Sequence, residues 1–235
     1  MNDLFDRPDA SSEQLLLDLP NVAVGGRDDV VVSASNVMAV DHLDAWPDWP
    51  QFLTVLTGPS GSGKTHLARC WAARAGAVTL DPRLLDELQF GASLGDAPFL
   101  IEDADRGGLP ERALFHLLNL ARAQGVSVLV TTRFRPGVWN VSLADLNSRL
   151  KAGAQAELAV PDDALVGGVA LKLFAERQLD VDSAIVEQIV ARSHRSLKHV
   201  QALVRRLDYL SLIRRKPVTR ALVSEALRLE AGSIA

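Results

Sequence analysis

Between Leu56 and His66 the chain reads LTGPSGSGKTH, a backbone nearly stripped of side chains and then a lysine. A chain that must bury apolar surface gives up side chains where something else approaches the backbone. Gly58, Gly61 and Gly63 can take positive φ without steric cost and leave room where Cβ atoms would stand. The run Gly58, Pro59, Ser60, Gly61, Ser62, Gly63, Lys64, Thr65 matches G-x-x-x-x-G-K-[ST]. In that pattern successive N–H groups point inward and form a nest for an anion, reinforced by the N-terminus of the next helix. Phosphate is the natural occupant. Lys64 is expected to neutralise the β- and γ-phosphates and the Thr65 hydroxyl to sit on a magnesium ion, with His66 counted as the last residue of the loop. Context separates this from a chance glycine turn. Gln51 to Thr57 is a β-prone apolar run, and Thr65 to Ala75 places Leu67, Ala68, Trp71, Ala72 and Ala75 at helical spacing before the stop at Gly76.

The same alternation continues. Residues 77–80, 98–102, 126–131 and 156–160 read as strands, and Pro110 to Gln124 reads as a helix with Leu114, Leu117, Leu118 and Ala121 on one face. With the strand before the loop this predicts an α/β fold, a five-stranded parallel sheet with helices on both faces. From Pro161 strand patterns stop, and residues 163–178, 182–194, 197–213 and 219–229 have helical periodicity, the last closed by Gly232. The expected organisation is a tail over 1–20, a nucleotide-binding domain over 21–160 and a small all-helical domain over 161–235. The tail has loop composition and is expected to be partly disordered.

The 235 residues carry a net charge of −4 and a pI of about 5.7, so no overall basic field argues for nucleic acid as the main ligand. Cys70 is the single cysteine, which excludes disulfides within the chain and points to a reducing compartment. The acidic, polar start lacks the pattern of a secretory signal, and apolar runs such as Val30 to Val32 are far too short to span a bilayer. These readings predict a cytoplasmic protein with no membrane partner.

Two constellations carry chemistry beyond the loop. The strand 98–102 ends in Glu102, Asp103 and, after Ala104, Asp105. An acid at this strand end holds magnesium, and a second orients the attacking water. Glu102 and Asp103 form the expected pair, whereas Asp105 has only its neighbours to recommend it. The strand ending at Thr131, Thr132 and Arg133 offers a hydroxyl to the γ-phosphate. Arg149, in SLADLNSRL beside Leu143, Leu146 and Leu150, is placed to reach a neighbouring subunit's nucleotide or, on spacing alone, to be a solvated surface arginine.

Taken together, GPSGSGKTH, LIEDAD, VLVTTRF, LNSRL and a C-terminal helical domain in this order resemble the AAA+ module, specifically that of the bacterial replication initiator DnaA. HRSLKHVQALVRRLDYLSLIRRKPVTRALVSEAL is similar to the lid domain of the Hda-type DnaA-homologous proteins that inactivate the initiator. The resemblance covers about residues 21–230. It implies a sensor I role near Thr132, an arginine finger acting in trans at Arg149 and a sensor II position at Lys198. It also implies bound ADP or ATP with Mg2+, the DnaA initiator as partner and a possible homo-oligomer. Two departures stand out. Glu102 occupies a position where the family usually has Asp, and Lys198 replaces an arginine, which a lysine cannot match in bidentate phosphate contact. Arg195, one turn earlier, is a candidate substitute. Weak intrinsic hydrolysis is therefore expected.

The chain stops at Ala235, where an initiator would continue into a helix-turn-helix domain, so no sequence-specific DNA binding is expected. The cluster Arg205, Arg206, Arg214, Arg215 and Lys216 reads as a solvated face or as phosphate contacts. In the tail, Gln14, Leu15, Leu17, Leu19 and Pro20 resemble the Q-L-x-L-x-L motif that docks into the groove of the DNA polymerase sliding clamp. Three classes of function follow: a clamp-tethered regulator stimulating hydrolysis of DnaA-bound ATP, a self-hydrolysing ATPase that remodels or loads a protein, and a non-catalytic scaffold.

Overall fold

The computed structural model describes residues 26–87 and 95–231. Strands β1 (Leu53–Thr57), β2 (Val78–Leu80), β3 (Phe99–Ile101), β4 (Val128–Thr132) and β5 (Ala154–Glu157) form one parallel sheet in the order β2-β3-β4-β1-β5. Val55 at the centre of β1 pairs with Val130 on one side and Gln155 on the other. Alternation along each strand then sorts the side chains into two cores. Leu53, Val55, Phe99, Ile101, Val128 and Val130 pack with helices α3 (Glu111–Gln124) and α4 (Ala144–Ala152). Leu56, Leu100 and Leu129 face the other way, against α1 (Val37–Asp44) and α2 (Lys64–Ala75). Helices cover both faces, which is why the strands read as continuous apolar runs.

Two local results differ from the sequence reading. Helix α1 carries Ala39, Val40 and Leu43 into the core but was not expected, because so short a segment lacks a helical period to count. Strand β5 begins at Ala154, earlier than the expected 156, and ends at Glu157. Its residues are poor strand formers, so pairing of Thr54 with Ala154 decides its position. After α1, Trp49 stacks on Trp71 of α2, centroids 5.2 Å apart and planes 9° apart, and it also stacks with His42 at 5.4 Å.

Helices α5 (Asp163–Glu176), α6 (Ser183–Arg192), α7 (Leu197–Arg214) and α8 (Arg220–Ala231) enclose a separate apolar cluster around Phe174, Val200, Leu203, Val204 and Val223. Side-chain caps start three of them: Asp162 accepts from Leu165 N, Asp182 from Ile185 N and Ser196 from His199 N. This lid is tied back to the sheet side. Ser35 N donates to Asp162 Oδ2 at 3.0 Å, Lys172 pairs with Asp29, and Val31 packs where Gly168 of α5 lacks a side chain. No helix among the described residues is long and apolar enough to cross a membrane. The clamp-like residues Gln14, Leu15, Leu17, Leu19 and Pro20, and Gly232, lie outside the described residues.

Candidate functional site

The glycine loop leaves β1 and enters α2, with Gly63 at φ 97° as the left-handed residue before Lys64. Lys64 is only 6% exposed, and its Nζ donates to Gly58 O at 2.7 Å and Pro59 O at 2.9 Å. Burial pushes its pKa down, while the carboxylates of Asp103 and Asp105 act in the opposite direction. The Ser62 hydroxyl is buried inside the loop without a hydrogen-bond partner among the described residues. Thr65 and His66 are exposed, and His66 Nε2 lies 3.8 Å from Cys70 Sγ one turn on. A cation at a helix N-terminus, left-handed glycines at Gly61 and Gly63 and an orphaned hydroxyl fit a phosphate chain.

The glycines also serve the protein itself. A Cβ on Gly58 would meet Leu158 O at 2.7 Å, and one on Gly61 would overlap the Ser196 hydroxyl. Leu197 N, at the start of α7, donates to Gly61 O at 2.8 Å, so the lid sits directly on the loop. That contact joins residues far apart in sequence, and no local pattern announces it.

At the strand ends, Glu102 pairs with Arg69 of α2 at 3.0 Å, leaving its Oε1 buried and without a partner among the described residues. This orphaned oxygen fits a metal ion or its water. Asp103 has φ 54°, its N–H donates to Thr131 Oγ1, and its carboxylate pairs with Arg106 at 2.9 Å. Asp105 has the most enclosed carboxylate of the three, 1% exposed against 15% for Glu102 and 23% for Asp103. It accepts from Arg133 N at 3.0 Å and from Arg133 Nε at 3.2 Å. Thr132 is fully buried, and its hydroxyl donates to Phe134 O at 2.8 Å within its own loop. No group of three or more His, Cys, Asp or Glu side chains forms a metal cluster among the described residues. A phosphate-loop magnesium does not require one, since a hydroxyl and phosphate oxygens supply ligands.

The remaining expected residues lie apart from the loop. Arg149 stands in the last turn of α4, half-buried, with its guanidinium 5.3 Å from the Phe115 ring centroid. No carboxylate pairs with it among the described residues, and α4 packs on the face of the sheet opposite α2. Lys198 is exposed near the start of α7. Arg195 pairs instead with Asp163 of α5 at 3.3 Å. Of the distal basic cluster, Arg214 pairs with Glu225. From sequence, Asp105 is set aside and Arg133 is named only as a strand end; the structure pairs the two.

No family model matches the chain. Over 151 residues, 64% of this chain, it is 24% identical to the chromosomal replication initiator protein DnaA of Thermomicrobium roseum, and the match spans 30% of that protein. Domain III of the Thermotoga maritima replication initiation protein DnaA superposes with a TM-score of 0.75 at 17% identity, covering 86% of this chain and 95% of that one. AMPPCP-bound DnaA from Aquifex aeolicus gives 0.66 at 14% identity, over 79% and 65% of the two chains. The T. maritima RuvB Holliday junction branch migration motor gives 0.61 at 18% identity, over 81% and 66%. Sheet order, glycine loop and helical lid define an α/β P-loop protein of the AAA+ fold. Its particular likeness is to domain III of DnaA, whose length it nearly covers.

Proposed function

We propose that this chain is a nucleotide-bound AAA+ regulator of replication initiation that presents Arg149 to ATP held by the DnaA initiator and so drives that ATP to ADP. Residues Gln14 to Pro20 would tether it to the DNA polymerase sliding clamp. The observation that carries the reading is the state of Arg149: a guanidinium on an aromatic ring, free of carboxylate partners among the described residues, across the sheet from the helix that follows its own phosphate loop. A cation so placed is available to stabilise charge developing on a phosphoryl group in another polypeptide.

The chain's own nucleotide would be held by the amides of Gly58 to Thr65 and by Lys64, with Thr65, Glu102 and Asp103 toward magnesium. Magnesium, when bound, supplies charge neutralisation at the β- and γ-phosphates. Both acids already face an arginine, Glu102 toward Arg69 and Asp103 toward Arg106, and Lys198 lacks a guanidinium. These features favour binding over turnover, with ADP as the working form. Likeness to DnaA, one of whose structures carries AMPPCP, supports an adenine nucleotide and a replication context.

The test is a reconstituted assay of initiator-bound ATP with loaded clamp. Wild type should accelerate hydrolysis, and Arg149→Ala should lose about 10³-fold of that stimulation while keeping its own nucleotide. Full stimulation by Arg149→Ala would reject the mechanism. Substantial hydrolysis by the chain alone would favour a self-hydrolysing ATPase.

A further inference from the structure

Helix α7 has two faces, and the fold uses one of them. Val200, Leu203, Val204 and Leu207 are buried in the lid cluster. On the opposite side Arg205, Tyr209, Leu212 and Ile213 recur at spacings of three and four residues, which puts them in one stripe. The apolar members of that stripe stay open, Tyr209 52%, Leu212 58% and Ile213 56% exposed. Single exposed apolar side chains are ordinary, but three side by side at the end of one helix form a patch. Cations surround it. Arg205, Arg206, Arg215 and Lys216 make no ion pair among the described residues, whereas Arg214 is held by Glu225. Asp208, the one acid of α7, faces Arg177 of α5.

The chain itself contains a segment of complementary chemistry. Residues 1–25 hold five of the 29 acids, Asp3, Asp6, Asp9, Glu13 and Asp18, and one of the 25 Lys and Arg residues, Arg7. The net charge of −4 therefore resides entirely in this tail, and the rest of the chain is balanced. Leu15, Leu16, Leu17 and Leu19 are interleaved with Glu13 and Asp18. An apolar and acidic segment matches an apolar and basic face: leucine burial supplies affinity, and opposite charge steers the encounter and fixes its register. The distance is also short. Asp29 pairs with Lys172 of α5, and five residues along that helix Arg177 lies 3.8 Å from Asp208, the neighbour of Tyr209. Five helical residues advance about 7.5 Å. The seven residues from Leu19 to Gly26 extend to about 24 Å, so the leucines can reach the stripe with every described element in place.

We infer that the outer face of α7 is a docking surface for the chain's own tail, with Leu15 to Leu19 on Tyr209, Leu212 and Ile213 and the acids of the tail facing Arg205, Arg206, Arg215 and Lys216. The contact is internal to one molecule and autoinhibitory, since the leucines that would engage a partner are held by the lid until that partner competes for them. Docking itself depends on no partner. Only its regulatory consequence rests on the proposed function, in which the same leucines tether the chain to the sliding clamp. An equilibrium of this kind lowers the apparent affinity for the clamp by the fraction of tail left free. Because much of the attraction is between exposed charges, salt weakens the docked state.

The experiment places a nitroxide on the tail of the full chain, through Ser11→Cys, and reads paramagnetic broadening of amide signals; Cys70 is buried and takes no label. Amides of Tyr209, Leu212 and Ile213 should broaden, and the broadening should fade with Leu17→Ser plus Leu19→Ser, with Arg205→Glu plus Lys216→Glu, and at high salt. These positions in α7 are exposed, so the charge reversals leave the lid core intact. No broadening at α7, or broadening that survives both double variants, overturns the inference. Mixing spin-labelled chain with separately isotope-labelled chain tests for a second copy, and equal broadening there overturns docking within one molecule. Titration with purified sliding clamp reads the consequence: Arg205→Glu plus Lys216→Glu should tighten clamp binding by about three- to tenfold, as the tail is released. Unchanged clamp affinity overturns the autoinhibition. If no form binds the clamp while α7 broadens, the proposed tether fails and the docking stands; if the clamp binds while α7 is silent, the docking fails and the tether stands.

Discussion

Gly61 has no room for a side chain, since the Ser196 hydroxyl occupies the space and φ is +79°. Gly61→Ala should therefore cost about 1–3 kcal/mol through backbone strain and displacement of the lid. Urea denaturation would measure the cost, and faster hydrogen exchange at Leu197 N would show that the lid has lifted. Lys64→Ala should abolish nucleotide binding in an equilibrium titration. The phosphate loop itself was plain in the sequence, because its chemistry is local: eight consecutive positions specify the nest and its cation. The same residues gave no hint of their second use. Gly61 meets Ser196 only because α7 returns to the loop, and Arg133 meets Asp105 only because β3 and β4 are neighbours in the sheet. The acids were legible as a cluster, but their order of burial was not, since burial is decided by which strand-end loop folds over them.

At the scale of elements, Asp162 shows how much one cap can join. Its Oδ1 accepts from Leu165 N at 2.7 Å to start α5, and its Oδ2 accepts from Ser35 N at 3.0 Å on the segment before α1. The Leu165 N–H, with smaller contributions from Ser33 and Ser35, holds its pKa below the ordinary 3.8. The folded state thus binds its proton less readily than the unfolded chain. The stabilisation is present above about pH 4 and is lost as the pH falls through the depressed value. Asp162→Ala should cost about 1 kcal/mol at neutral pH and much less at about pH 3, read from urea midpoints at the two conditions. Long helices were legible in outline because three-to-four-residue spacing recurs over several turns. Helix α1 was too short for that, and β5 was misplaced by two residues because AQAE has little strand preference of its own.

For the whole molecule, sheet, loop and lid are joined by contacts that cross between them: Ser35 to Asp162, Lys172 to Asp29 and Leu197 to Gly61. A ligand in the loop is therefore expected to stabilise lid and sheet together. At a nucleotide concentration a hundredfold above its Kd the gain should be about 2.7 kcal/mol, seen by scanning calorimetry as one transition moving upward. Two resolved transitions, only one of which moves, would contradict this coupling. Sheet order was the least legible property, since a parallel arrangement follows from alternating strands and helices while neighbours follow only from pairing. The stacked Trp49 and Trp71 lead to a practical consequence. Two indoles 5.2 Å apart and nearly parallel interact as paired transition dipoles, and one of them rides on the helix that begins at Lys64. The molecule thus carries an intrinsic optical reporter, in which a small displacement of that helix is read as a change in ultraviolet emission without any added dye.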